Sequence, residues 1–488
     1  MNFVVIICDT LRRDHLGCYG NEWISTPHID RFAEQSVVFL NAYSGSFPTV
    51  PHRRDLLTGR YTAAYTPWAA LSQEEAVLPD LLRKRDYVSM MVCDTPHILE
   101  NGYHYDRGFD AFEWIRGQES DRWRTWPETP EHPCDPAKIR AEQMLRRRHR
   151  RNTAWWRYES DTFVARTMTR ACRWLEDNRS RDRFFLYVDT FDPHEPWDAP
   201  EWYVEMYDPL YEGEAVDYPL YARTGFLTRR ELEHVRALYA AEVTLVDRWV
   251  GRLLQKLEDL GLLRDTMVVL STDHGFLHGE HGVMGKSLIE GTQMSYVPLY
   301  EEICHIPLIV RAPDVAPGLR RAVVQPMDVM PTILDLAGAG VPEGVDGVSF
   351  ADALVGDTDR ARPFAVSSPF LASATACATV TRGRWSAVLR PLAEEEGAEA
   401  VDRAVDGFAK RTARREAEGD ALYDLQNDPG QLDDIAASRP DIVEELREAA
   451  VALWRRAGAA PDVLARWEPE EPEEKEEGTE EARGTDNL

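Results

Sequence analysis

The chain has 488 residues, 43% of them hydrophobic and 29% charged, with a formal charge of −28 at pH 7. That length can bury a large core and favours two domains. The acidic balance argues against general binding of nucleic acid or of an anionic membrane, and no apolar run is long enough to span a bilayer.

Residues 2–8 (Asn-Phe-Val-Val-Ile-Ile-Cys) form a continuous apolar run, as expected for a central parallel strand covered on both faces. Asp9 follows at its carboxyl end, where open α/β sheets gather ligands. Read alone it is a turn residue; read with a partner it is a metal ligand. Thr26-Pro27 predicts a helix start, with Thr26 as the cap and Pro27 first in the helix. Val37 to Tyr43 reads as a strand. The stretch Ser44–Tyr61 then turns through a polar elbow into a helix, with Pro51 suited to the first helical position and Gly59 to the stop. Thr49 therefore sits just ahead of a helix N-terminus, where unpaired N–H groups and the positive dipole end favour an anion. Arg53 and Arg54 follow within a turn. The hydroxyl of Thr49 reads either as a simple cap or as a nucleophile aimed at a tetrahedral oxyanion.

A helix near 78–85 leads to a strand over 87–93, followed by Asp94-Thr95-Pro96-His97. Residues 117–157 form an irregular insertion rich in Trp and Arg. Arg146, Arg147, Arg148, Arg150 and Arg151 read as a solvated helix face, or as a lid or oligomer contact. An amphipathic helix over 161–178 and a strand over 184–188 precede Asp189-Thr190-Phe191-Asp192-Pro193-His194. Thr228-Arg229-Arg230-Glu231 is a capping box opening a helix to about Leu260. A strand over 267–271 ends in Thr272-Asp273-His274-Gly275, a carboxylate and an imidazole suited to a divalent cation. Lys286 follows, and residues 287–302 read as a loop. Further strands are predicted over 306–311, 376–382, 384–389 and 421–425, with a helix over 440–456. From Glu468 onward ten acidic residues face only Lys475 and Arg483, which predicts a disordered tail.

Pro51, Arg53 and Leu57-Thr58-Gly59-Arg60, with Pro193-His194, Asp273-His274, Gly279 to Lys286 and Asp424-Leu425, resemble the sulfatase family of the alkaline phosphatase superfamily. The likeness spans residues 2–436. It implies an α/β fold: a large, mostly parallel central sheet flanked by helices, with a smaller C-terminal antiparallel subdomain. The domains expected are a catalytic domain over 1–362, an α+β subdomain over 363–463 and a tail over 464–488. The resemblance also implies catalytic roles for Thr49, Arg53, His194 and Lys286. It places Thr95 and His97 at the substrate, and makes Asp9, Thr49, Asp273 and His274 ligands of one divalent ion, Mn²⁺, Ca²⁺, Mg²⁺ or Zn²⁺.

Several residues depart from the family pattern, among them His52 in place of the usual small residue. Thr49 stands where the family has the Cys or Ser that becomes formylglycine, and oxidising a secondary alcohol gives a ketone, not that aldehyde. Thr95 stands where sulfatases carry a Lys, and the single Asp9 after Cys8 is more similar to the phosphonate monoester hydrolase branch. The expected activity is metal-dependent hydrolysis of a small-molecule anionic ester: a phosphate ester, phosphodiester or phosphonate monoester, alternatively a sulfate ester. An inactive member that binds an anion or a partner is a third reading. Seven scattered cysteines without a C-x-x-C pair, and the lack of a basic, apolar leader, point to the cytoplasm. A homo-oligomer is left open.

Overall fold

The computed structural model describes residues 1–126, 131–141, 146–291, 293–356, 362–373, 375–392, 401–403, 409–411 and 419–468. The acidic tail from residue 469, and parts of the 117–157 insertion, lie outside the described residues.

The central sheet has eight strands: β1 (Asn2–Cys8), β2 (Val37–Ala42), β3 (Val88–Cys93), β4 (Ala111–Trp114), β5 (Phe184–Thr190), β6 (Thr266–Ser271), β7 (Leu308–Arg311) and β8 (Gly318–Val324). Their order is β8-β2-β7-β6-β1-β5-β3-β4. Only β7 runs against its neighbours; the other pairings are parallel, so the fold class expected from the sequence is the one observed. All seven residues of β1 are buried. Because side chains alternate across a strand, Val4, Ile6 and Cys8 pack on one face with helices α2 (Phe163–Asn178) and α3 (Arg229–Asp259). Phe3, Val5 and Ile7 pack on the other, with Leu56 and Leu57 of α1 (Thr49–Thr58) and with Met330 and Ile333 of α4 (Val329–Leu336).

Helix α3 starts at the expected capping box, the Thr228 hydroxyl accepting from Glu231 N at 3.2 Å and the Glu231 carboxylate accepting from Thr228 N at 2.7 Å. Thr26 does not cap the helix Pro27–Glu34. Its hydroxyl is taken by Gly17 N and the Asp30 carboxylate, and Asp247 of α3 accepts from His28 N and Ile29 N instead. The onset of α1 also differs from expectation. His52 N donates to Pro48 O at 3.1 Å, so the helix begins at Thr49 and Pro51 is its third residue, still among the N–H groups that need no helical acceptor. Residues 287–302 are not a simple loop, since Ser287–Glu290 pairs antiparallel with Gln293–Tyr296. The arginines of 146–151 do not form a solvated face. Arg146 is buried against Asp217, and His149 is buried with its Nε2 2.8 Å from Asp198.

Inside α1, Asp55 anchors the turns on either side of the helix. Its Oδ2 accepts from Ser46 N at 2.7 Å and its Oδ1 from Thr62 N at 2.9 Å, all buried. An asparagine keeps one acceptor and turns an N–H₂ toward a backbone N–H. Asp55→Asn is therefore expected to lower stability by about 1–3 kcal/mol, read by urea unfolding; an unchanged midpoint would refute this anchoring role.

The C-terminal sheet is antiparallel, with strands β9 (Ala365–Ser367), β10 (Ala378–Arg382), β11 (Trp385–Leu389) and β12 (Ala421–Asp424), covered by α5 (Pro440–Ala457). It shares a core with Tyr61, Ala63, Ala64 and Met327 from the region around α1. Tyr61 Oη lies 2.7 Å from Ser368 Oγ, Leu371 N donates to Ala63 O at 3.0 Å, and Arg60 Nη2 donates to Ala457 O at 3.2 Å.

Candidate active site

Strands β1 and β6 are parallel neighbours, so the residues just past their carboxyl ends converge. Asp9 follows β1, and Asp273 and His274 follow β6. One ligand atom from each lies within 4.8 Å of the other two, and all three residues are buried. Backbone and hydroxyl donors orient them. Asp273 Oδ1 accepts from Thr10 N (3.0 Å) and His274 N (2.8 Å), which turns Oδ2 to the cluster. Asp9 Oδ1 accepts from Thr10 Oγ1 at 2.7 Å, and Asp9 Oδ2 is left without a hydrogen bond. His274 Nδ1 donates to Gly275 O at 2.9 Å, so its Nε2 lone pair is bare. The tight turn behind it needs Gly275: a Cβ there would stand 2.0 Å from Glu302 O.

Arg53 Nη1 reaches this cluster, 3.0 Å from Asp9 Oδ2 and bonded to Asp273 Oδ2. The same nitrogen donates to the Thr49 carbonyl at 3.3 Å, which brings the first residue of α1 to both carboxylates. Thr49 is buried. Helical spacing puts His52 and Arg53 on either flank of Thr49. Neither ring nitrogen of the buried His52 has a hydrogen-bond partner, and burial drives its imidazole down to about 3. The far side of Arg53 is held by Asp189 at the end of β5, Nε to Oδ2 and Nη2 to Oδ1, both 3.0 Å. Asp189 also accepts from Thr95 Oγ1 (2.6 Å) and Tyr187 Oη (2.7 Å). Thr95, expected at the substrate, thus directs its hydroxyl to the carboxylate that orients Arg53. Sequence reasoning missed Asp189 in this role, although its position at a strand end was the available signal.

Lys286 Nζ lies 3.0 Å from His194 Nε2 and 3.3 Å from His274 Nε2. His194 Nδ1 faces its neighbour's oxygens, 2.7 Å from Glu195 O and 3.2 Å from Glu195 Oε2. Both are acceptors, so Nδ1 carries the proton and Lys286 donates to the bare Nε2. His194 stacks on Phe191 at 4.0 Å, and His97 lies on the same ring at 5.3 Å. His97 Nε2 pairs with Glu119 Oε2 at 3.0 Å. Burial, helped by the Lys286 charge, holds the His194 imidazole well below its usual range, and burial drives His274 down to about 3. Burial, with Asp273 adding to it, pushes the Asp9 carboxyl up, while Lys286 is drawn down by burial against the pull of Asp9 and Glu195.

This donor set fits a divalent cation. Two carboxylates and a neutral imidazole converge, one carboxylate oxygen lacks a hydrogen bond, and Arg53 and Lys286 already bring positive charge to the same atoms. A family model described as Sulfatase matches residues 1–339. The chain belongs to the sulfatase family. It is therefore an ester hydrolase by descent. It is 25% identical to an arylsulfatase of Clostridium perfringens over 392 residues, covering 72% of this chain and 78% of that one. It is also 25% identical to an N-acetylglucosamine-6-O-sulfatase of Bacteroides thetaiotaomicron over 421 residues, 72% and 70% of the two chains. Among solved structures, the phosphonate monoester hydrolase of Agrobacterium radiobacter superposes with a TM-score of 0.68 at 20% identity, covering 93% of this chain and 96% of that one. The phosphonate monoester hydrolase of Silicibacter pomeroyi gives 0.67 at 22%, covering 95% and 96%. These two likenesses concern the fold. The sulfatase fold places the metal-type cluster at the carboxyl ends of its central strands, and no helix among the described residues is long and apolar enough to cross a membrane.

Proposed function

We propose that this sulfatase-family member hydrolyses a phosphorus ester, a phosphodiester or phosphonate monoester, using Thr49 as its nucleophile. The observation that carries the reading is the shared guanidinium nitrogen of Arg53, which ties the position of Thr49 to Asp9 and Asp273. Asp9, Asp273 and His274, with the Thr49 oxygen, would hold the divalent cation. Bound there, the ion supplies Lewis-acid chemistry that lowers the pKa of a hydroxyl, which matters because a free alcohol is a poor nucleophile at neutral pH.

Thr49 attacks phosphorus in line as its alkoxide, its proton having passed to solvent, and the bond to the leaving oxygen breaks. Arg53 and the N-terminus of α1 stabilise charge on the equatorial oxygens. Lys286 and His194 stand together on the leaving side; the Lys286 ammonium, held by His194 Nε2, gives the leaving oxygen its proton and regains one from the water that follows. Water then attacks the phosphothreonine and frees the enzyme.

Sulfate esters are the second reading, favoured by the curated relatives, which are named as sulfatases. Against it, a formylglycine hydrate expels sulfate by collapsing to the aldehyde, whereas a sulfated threonine must wait for water. The deciding experiment is a matched panel of aryl sulfate, phosphate monoester, phosphodiester and phosphonate monoester, assayed with each of Mn²⁺, Ca²⁺, Mg²⁺ and Zn²⁺. Highest kcat/KM on the diester or phosphonate is expected. Preference for the sulfate reverses the assignment, and no turnover of any ester with any ion favours a binding protein.

A further inference from the structure

The insertion sends one side chain under both site histidines. Residues 138–140 run beside 218–220, with Arg140 N donating to Tyr218 O at 3.1 Å and Leu220 N to Lys138 O at 3.0 Å. This pairing lays the Arg140 guanidinium across the rings of Tyr218 and Tyr221, at 4.5 and 4.2 Å from their centroids. Arg140 Nη2 then bridges two buried carboxylates, Glu195 Oε1 at 2.9 Å and Glu119 Oε1 at 3.2 Å. Each of those oxygens also accepts a phenol, Tyr221 Oη on Glu195 and Tyr218 Oη on Glu119, both at 2.5 Å. The second oxygen of each carboxylate faces an imidazole, Glu195 Oε2 at His194 Nδ1 and Glu119 Oε2 at His97 Nε2. The arrangement is symmetric: phenol and guanidinium on one oxygen, histidine on the other, twice, around a single arginine.

Two carboxylates buried side by side repel unless a cation lies between them, and an unpaired one would swing toward whatever positive charge it could find. Lys286, whose ammonium is needed at His194, already feels the Glu195 charge. Arg140 holds Glu195 on its own side and so keeps Lys286 free for the site. The Nδ1 proton is bonded to the Glu195 carbonyl at 2.7 Å, and with Oε1 fixed the charge of Oε2 stands 3.2 Å from the same nitrogen, which favours the tautomer with a bare Nε2 and holds the ring from that side.

We propose that Arg140, with Glu195 and Glu119, is a set of positioning residues that locks the tautomer and ring plane of His194 and His97, making the 117–157 insertion a working part of the active site. The proposal rests on the reading of His194 as the group whose Nε2 holds Lys286, the proton donor, at the leaving group. Glu195→Gln is expected to lower kcat by about 10- to 100-fold with little change in KM. Combined with His194→Ala it should lose no more than His194→Ala alone. A residue that served only the fold would lower the melting temperature and add its loss in full. A second measurement does not depend on turnover. In metal-loaded protein with isotope-labelled histidine, the His194 Nδ1–H resonance, assigned by its disappearance in His194→Ala, should move in Glu195→Gln and Arg140→Ala. It should return toward the wild-type position in Arg140→Lys. Tyr221→Phe, which removes one hydroxyl from Glu195, provides a milder variant should Glu195→Gln not fold, with a smaller shift in the same direction. An unmoved resonance, or full additivity with His194→Ala, overturns the proposal. Undiminished kcat in His194→Ala overturns the reading of His194 as the holder of Lys286 instead, and the resonance then decides alone whether the set positions the ring.

Discussion

Thr49→Val is expected to cut kcat by about 10³-fold or more at saturating divalent ion while leaving folding unchanged; with one ligand oxygen gone, the ion binds more weakly. Valine keeps the branched shape of threonine and removes only the hydroxyl, so packing at the buried first position of α1 is retained. Arg53 takes the carbonyl of Thr49, not its side chain, so the guanidinium bridge to Asp9 and Asp273 survives the change. Thr49→Ser keeps an alcohol and is expected to retain most of the rate, losing only the restraint the methyl group gives to the rotamer. A rapidly quenched reaction should show wild-type protein carrying the transferred group on Thr49, detected by accurate-mass peptide analysis, and none on the valine variant. A valine enzyme as fast as the wild type would remove Thr49 from the chemistry.

Asp273→Asn is expected to abolish tight binding of the divalent ion. Asp273 Oδ1 is occupied by two backbone N–H groups, so an asparagine oxygen would stay there and its N–H₂ would face Arg53, donor against donor. Elemental analysis of the purified protein should find the metal in the wild type and not in the variant. Binding to the folded state alone stabilises by RT ln(1 + [L]/Kd), about 2.7 kcal/mol at a hundredfold excess over Kd. The wild-type melting temperature should therefore rise with the correct ion and fall with a chelator, while that of Asp273→Asn stays flat. A wild-type melting curve indifferent to chelator and to all four ions would dispose of the site.

Much of this site is written locally in the chain. Asp9 and Asp273-His274 stand at the ends of apolar runs, and a strand that is buried on both faces can present polar ligands only past its carboxyl end. The capping box at Thr228 is a purely local pattern, and it formed as read. What the sequence hides is long-range. Asp189 looks like any aspartate closing a strand until β5 is seen beside β1, 136 residues from the arginine it orients. Glu119 and Arg140 sit in a segment with no hydrophobic period, so nothing local says that Glu119 is buried or that Arg140 pairs with it. Thr26 misled for the opposite reason: its sequence is a good local cap, and a carboxylate from a distant helix outcompeted it. The reversed direction of β7 has no local signature either, since a four-residue apolar strand reads the same in both senses.

The sheet at the C-terminal end has a bearing on how the protein can be dissected. Tyr61, Ala63 and Ala64 lie directly downstream of α1, and their apolar surface is sealed by residues more than 300 positions later. Cutting the chain at residue 362 would strip that seal and put water against the segment that terminates the hydroxyl-bearing helix. The core under the C-terminal sheet is completed by Tyr61, Ala63, Ala64 and Met327, so residues after 362 do not close it alone. Shortened forms made for crystallisation or display are better trimmed from the acidic end beyond Trp467, which is itself the last fully buried tryptophan of that shared interior.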